Sequence, residues 1–311
     1  MSLTVDVIIP VYGNWSLTAQ CLESLRGQTF EHRVILVDDK SPDDTLARVA
    51  AEFPDVTVLV LGVNSGFAAA CNLGIAAATA DVIVLLNNDV ITSPSMLEHL
   101  VTPFHDPAVG SAVPVLFRPD GSIDAFGIAA DVTLAGFLRL HGSQRDSLDS
   151  LLPTLLGPYG AVAAYRTEAL REVGGLDEAI FMYGEELDLA LRLSAAGWRS
   201  APTPLATGIH LGGATSGRGS ASQRQRAGFG RGYLLRAYGV LRGRHALRSL
   251  TIELIVCAGD LALSRDLASL RGRLAGWRAG AQTFTRNRAI PDLDCSIGFI
   301  DSLRLRIRSR T

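Results

Sequence analysis

Along the first ninety residues, short continuous apolar runs alternate with segments of helical period. Val5–Pro10, Arg33–Val37, Val56–Leu61 and Asp81–Leu86 read as strands, each rich in Val, Ile or Leu and bounded by turn-forming residues. Between them Asn14–Arg26, Asp43–Phe53 and the small-residue stretch Gly66–Ala78 read as helices. Such alternation predicts an α/β fold, a parallel sheet with helices on both faces. Farther on, Val109–Val115 and Gly160–Tyr165 read as strands. Thr167–Val173 reads as a helix with Thr167 as N-cap and Gly174-Gly175 as C-cap, and Glu185–Ala196 as a helix stopped by Gly197. The segment Arg118–Ser150 holds no steady period and predicts loops or hairpins.

Ligands of such sheets bind beyond the carboxyl ends of the strands. Here those ends read Pro10-Val11-Tyr12-Gly13-Asn14, Asp38-Asp39-Lys40-Ser41, Asn64-Ser65-Gly66-Phe67 and Asn87-Asn88-Asp89. Any one of them is ordinary turn and cap chemistry. Asp38, Asp39 and Asp89 on a common edge, however, repel unless a cation or a hydrogen-bonding ligand sits among them. Asp89, at the mouth of a buried strand, suits a hard divalent cation. Glu185-Glu186-x-Asp188 opens a helix, where acids complement the dipole. The apolar Phe181-Met182-Tyr183-Gly184 before it would make a carboxylate there a better base. His210 precedes Gly212-Gly213, a hinge that could close a loop and bring an imidazole to a metal.

The chain has 311 residues, 48% hydrophobic and 19% charged, enough for a large core without disulfide or metal staples. A net charge of −2 hides a division. Residues 1–216 carry 11 basic against 25 acidic side chains, and residues 217–311 carry 18 against 6. The acidic body excludes a uniformly basic nucleic-acid binder. Cys21, Cys71, Cys257 and Cys295 have no framework spacing and predict reduced thiols in a cytosolic compartment. The expectation is a cytoplasmic, soluble or peripheral protein, since no basic region precedes the first apolar run and no uninterrupted apolar span reaches membrane length.

Six blocks in order carry a resemblance: VIIPVYGN, VDDKS, NSGFAAACNLGI, DVIVLLNNDV, GGLDEAIFMYGEELDLALRL and IHLGGATS. Over about residues 4–216 the chain resembles family 2 glycosyltransferases of the GT-A fold, and within them a rhamnosyltransferase-like branch that builds bacterial surface polysaccharides. The resemblance implies a mostly parallel, Rossmann-like sheet. It implies a nucleotide-binding half at about 1–92 and an acceptor-binding half at about 93–216, with residues 217–311 a mainly helical extension. It implies that Pro10, Val11 and Tyr12 lie against the nucleotide, that Asp38 or Asp39 bonds the base, and that Asn64, Gly66, Phe67 and Asn72 line the donor pocket. Asn87, Asn88 and Asp89 fall on the family's D-x-D motif, with Asn87 near the ribose or sugar. Asp89 and His210 would be ligands of Mg²⁺ or Mn²⁺, and Glu186 the base, with Glu185 or Asp188 as fallback. Two departures stand out: Asn87 replaces the motif's first acid, and Glu186 replaces the usual Asp. The implied partners are a nucleoside diphosphate sugar, with dTDP-L-rhamnose favoured, and a glycan or lipid-linked glycan acceptor. A degenerate sugar-nucleotide-binding module is the alternative outside catalysis. A sugar nucleotidyltransferase is the other alternative, against which stands the lack of a basic, glycine-rich phosphate loop after the first strand; a dehydrogenase would need G-x-G-x-x-G there, and none is present.

The tail opens with a linker-like stretch, Thr215–Gln223. Beyond it Arg224, Arg226, Arg231 and Arg236 interleave with Phe229, Tyr233, Leu234, Leu235 and Tyr238, an amphipathic pattern with two readings. Either the helix packs on the acidic body with its arginines solvated or paired, or it is a peripheral membrane face.

Overall fold

The structure is a computed structural model that describes residues 3–149, 155–212, 220–283, 286 and 289–308. The Thr215–Gln223 linker and Gly213 of the expected hinge fall wholly or partly outside them. In chain order, β1 (Val5–Val11), α1 (Trp15–Arg26), β2 (Arg33–Asp38), α2 (Thr45–Glu52), β3 (Thr57–Val60), α3 (Phe67–Ala77) and β4 (Val82–Leu86) alternate as the pattern predicts. Then come β5 (Val90–Thr92), α4 (Met96–Val101), β6 (Val109–Phe117) and three short strands, β7 (Ile123–Ala125), β8 (Ile128–Ala130) and β9 (Gly136–Leu138). They lead to β10 (Val162–Arg166), α5 (Thr167–Val173), α6 (Glu185–Ala195) and β11 (Arg199–His210). The chain closes with α7 (Ala221–Ala237), α8 (Ala246–Ser264), α9 (Ala268–Ala279) and α10 (Phe299–Arg308).

One sheet, ordered β3-β2-β1-β4-β10-β6-β11-β5 with β7 beside β6, spans the body. Strand β1 pairs in parallel with β2 and β4, setting Ile8 opposite Ile35 and Leu85. Alternation along β1 then divides the core: Val7, Ile9 and Val11 pack beneath α1 and α4, while Ile8 packs beneath α3 with Ile35 and Leu85. Covering both faces explains why these strands are predominantly apolar. The sheet is mostly parallel, but β10 runs antiparallel between β4 and β6, and β5 antiparallel to β11. Three residues of β5 are too few to show a period. Strand β11 starts at Arg199, before the apolar run at Ala206; Pro202 and Pro204 mask it, and its register against β6 shifts between Thr203 and Thr207. Thr167 is not the cap of α5. Arg166 takes that place, and the Thr167 hydroxyl donates instead to Ala80 O at 2.7 Å.

Of the two readings of the tail, the described residues show the packed one for α7. Tyr233, Leu234 and Leu235 are buried with Leu187 and Leu191 of α6 and Ile128 of β8. The Tyr238 hydroxyl donates to Asp188 at 3.0 Å, and Arg231 Nη1 to Leu134 O at 2.7 Å. Glycines let α7 and α9 meet backbone to backbone: a Cβ on Gly232 would lie 2.0 Å from Arg273 O, and one on Gly276 2.0 Å from Phe229 O. The buried Glu253 of α8 joins all four helices through Arg231 (2.7 Å), Arg273 (2.8 Å) and Arg306 (3.0 Å). Burial would raise its pKa, but the three guanidiniums overcome that and hold it far below the usual carboxylate range.

Candidate active site

A cleft of about 900 Å³ lies at the carboxyl ends of β1, β2 and β4. Pro10, Val11 and Tyr12 line it from β1, Asn64, Gly66 and Phe67 from the turn before α3, and Asn87 from the end of β4. The two acids at the end of β2 accept backbone N–H groups. Asp38 accepts the Ser41 N–H at 3.2 Å, and Asp39, which lines the cleft, accepts those of Ser65 (2.7 Å) and Gly66 (2.9 Å). Burial, aided by Asp38, nonetheless raises the Asp39 pKa. Gly66 is locked in place at φ +90°, where a Cβ would sit 2.6 Å from the Phe181 ring and carbonyl. The Phe67 N–H donates to that carbonyl at 3.0 Å, tying the β3 turn to the segment before α6.

Two expected donor-pocket residues are spent on structure. Asn72 lies outside the cleft: its amide donates to Leu176 O and Glu178 and accepts from Leu176 N, each at 2.9 Å. Five residues beyond Phe67, it stands about 140° round the helix. Asn88 borders the cleft, but its Nδ2 donates to Thr18 Oγ1 at 2.9 Å and Gly13 O at 3.3 Å, fastening the β4 tip to the start of α1.

Asp89 and His210 do meet. Pairing of β5 with β11 sets His210 opposite Val90, and His210 Nε2 lies 3.4 Å from Asp89 Oδ1. The other ring nitrogen is 2.7 Å from Asp124 Oδ2. Burial disfavours a charged imidazole, but Asp124 and Asp89 on its two nitrogens outweigh that and raise its pKa to about 9. Asp89 Oδ1 is buried with no hydrogen-bond partner. A buried, orphaned carboxylate oxygen beside an imidazole whose far nitrogen is held by a second carboxylate fits a divalent cation. Among the described residues no group of three or more His, Cys, Asp or Glu could hold a metal. Sequence reasoning missed Asp124, Arg118 and His141. Arg118 Nε donates to Asp124 at 3.3 Å, and its Nη2 lies 2.7 Å from His141 Nε2. All three come from the aperiodic segment, where only the fold brings them to His210.

Glu185 and Glu186 face the cleft together. The Gly184 N–H donates to Glu186 at 3.1 Å, while Glu185 Oε2 is buried without a partner. Burial raises both pKa values, and Glu186 raises that of Glu185 further. Asp188, the other expected fallback, is not among the residues that line the cleft: it is fully buried, 2.7 Å from Arg192 and 3.5 Å from Arg286. The extension also reaches the cleft: the Arg226 guanidinium lies 4.7 Å from the Phe181 ring centre, and α8 and α9 contribute Asp260 and Arg273 to the lining. The arrangement joins a metal-suited pair to two raised-pKa acids on one wall, which suits proton abstraction beside a departing anion.

Residues 6–174 match the family model described as Glycosyl transferase family 2. Pre-mycofactocin glycosyltransferase of Mycobacterium tuberculosis is 36% identical over 214 residues, which are 66% of this chain and 42% of that protein. The chain thus spans less than half the length of that relative. N-acetylglucosaminyl-diphospho-decaprenol L-rhamnosyltransferase of the same species is 28% identical over 213 residues, 61% of this chain and 69% of that protein. A mannosyltransferase from Pyrobaculum calidifontis, solved with GDP-Man and Mn²⁺, superposes with a TM-score of 0.55 at 20% identity, covering 93% of this chain and 78% of that one. The fold is therefore similar to GT-A structures.

Proposed function

The chain belongs to glycosyl transferase family 2, and from that premise we propose that it moves a sugar from a nucleoside diphosphate sugar to a hydroxyl of a glycan or lipid-linked glycan, with inversion. The reading rests on one observation: the orphaned Asp89 carboxylate oxygen and His210 share a cleft with the acids Glu185 and Glu186. A dTDP-L-rhamnose donor is the favoured choice, supported by the rhamnosyltransferase among the relatives.

Asp89 and His210 would hold Mg²⁺ or Mn²⁺, which when bound neutralises charge on a departing diphosphate. Asp124 holds the far imidazole nitrogen and so presents Nε2 to that site. Asp39 fixes the Ser65-Gly66 turn that borders the donor. Glu186, its pKa raised by burial, takes the acceptor hydroxyl proton as the new bond to the anomeric carbon forms and the bond to the diphosphate oxygen breaks. A thermal-shift panel of nucleoside diphosphate sugars with Mn²⁺ identifies the donor through stabilisation by mass action. Transfer assays of Asp89→Ala and Glu186→Gln then test the roles. The proposal is abandoned if no sugar nucleotide shifts the melt and none is consumed.

A further inference from the structure

The helix α8 is built inside out. Its outward stripe is Leu247, Leu250, Leu254, Ala258 and Leu261, at helical spacing, whereas Ser249, Glu253 and Asp260 are buried on the opposite side. Leu247 is 78% exposed, Leu254 63% and Leu263 80%. A short turn leads to α9, where Leu267 at its N-cap, Leu270 and Leu274 form a second exposed apolar row at helical spacing. Of the 16 large hydrophobic side chains exposed among the described residues, 11 fall between Leu247 and Ile300. Apolar exposure on this scale marks a surface that something covers.

Its charge indicates what. Arg265, Arg271 and Arg278 are exposed along the same two helices, while the acids of α8 and α9, Glu253 and Asp260, are both buried. A second copy would bring arginine against arginine, whereas an anionic lipid surface complements both the leucines and the guanidiniums. No described helix is long and apolar enough to cross a membrane, so the face would lie on a bilayer rather than span it. We propose that α8 and α9 dock the protein on an anionic lipid bilayer, with the leucine rows at the boundary of headgroups and acyl chains. This differs from the membrane face that the sequence offered as one of two readings of the α7 segment, because the arginine-rich α7 is packed inside.

The inference does not depend on glycosyl transfer. Its test is co-sedimentation of the full chain with vesicles of phosphatidylcholine, with and without phosphatidylglycerol. The Leu254→Glu/Leu261→Glu variant should partition about ten-fold less onto anionic vesicles, and Arg265→Glu/Arg271→Glu should lose only the gain that phosphatidylglycerol brings. Thermal melts check that both variants fold, and the donor-induced melting shift, measured in parallel, reports separately on the proposed activity. Equal sedimentation of wild type and leucine variant overturns the proposal, as does a wild-type dimer that the leucine variant converts to monomer.

Discussion

Gly230 of α7 meets the backbone just before Glu185 and Glu186, and replacing it with alanine should show the link. A Cβ at Gly230 would lie 1.9 Å from Tyr183 O. Carbon and carbonyl oxygen rarely come closer than about 3.3 Å, so one segment must retreat by more than about 1 Å. The obstacle is backbone, and its corner is already constrained, with Tyr183 at φ +73° and Gly184 at φ +113°. In an open helix the substitution would add about 1 kcal/mol of stability through helix propensity. Overpacking against a fixed wall costs about 1–3 kcal/mol, and the rigid corner puts this site at the upper end. The expected balance is a loss of about 2 kcal/mol. Gly259, in mid-α8 with nothing within 4 Å of its Cβ, is the control, and Gly259→Ala should gain about 1 kcal/mol. Tyr183-Gly184 leads directly into Glu185-Glu186, and a shift of about 1 Å in such a group can cost about 10²-fold in rate. Urea unfolding and sugar-transfer rates measure the two effects. If Gly230→Ala unfolds at or above the wild-type midpoint and turns over normally, the close approach is not real and the reasoning fails.

Glu186→Gln should lower transfer by about 10²–10⁴-fold. Because burial raises the Glu186 pKa, wild-type transfer should fall as pH drops through an inflection above the ordinary value of about 4.3, and a flat profile would remove Glu186 as base. Asp124→Asn should weaken Mn²⁺ affinity about 10–100-fold, read by titrating the metal-dependent melting shift; unchanged affinity would exclude Asp124 as the partner that orients His210. Glu253 has a depressed folded-state pKa, so its contribution to stability is present above the unfolded value of about 4.3 and drains away as pH falls below it. Glu253→Gln, which leaves three arginines uncompensated, should cost about 3–5 kcal/mol at neutral pH and flatten the acid side of the stability curve. An unaltered slope below pH 4 would show that another group controls acid unfolding.

The sequence by itself determined the first half of the sheet. Val5–Val11, Arg33–Asp38 and Val82–Leu86 are largely buried on both faces, and such strands are predominantly apolar and end in polar turns, so pattern alone located them and the residues at their tips. The paired acids opening α6 were legible for a similar reason, since helix starts carry local signals. What each polar residue does was decided by tertiary structure. Asn72 and Asp188 look like site residues in one dimension, yet helix rotation aims one at Leu176 and the other at Arg192. Asp124 is the reverse case: it sits in an aperiodic segment with no motif and reaches His210 only because β7 and β11 both pair with β6. In the basic half, composition recorded an excess of arginine, while burial decided which arginines pair inside the fold and which stand beside exposed leucines. Local period reports only which face of a segment is apolar. Whether that face meets the core or solvent depends on partners far away in the chain.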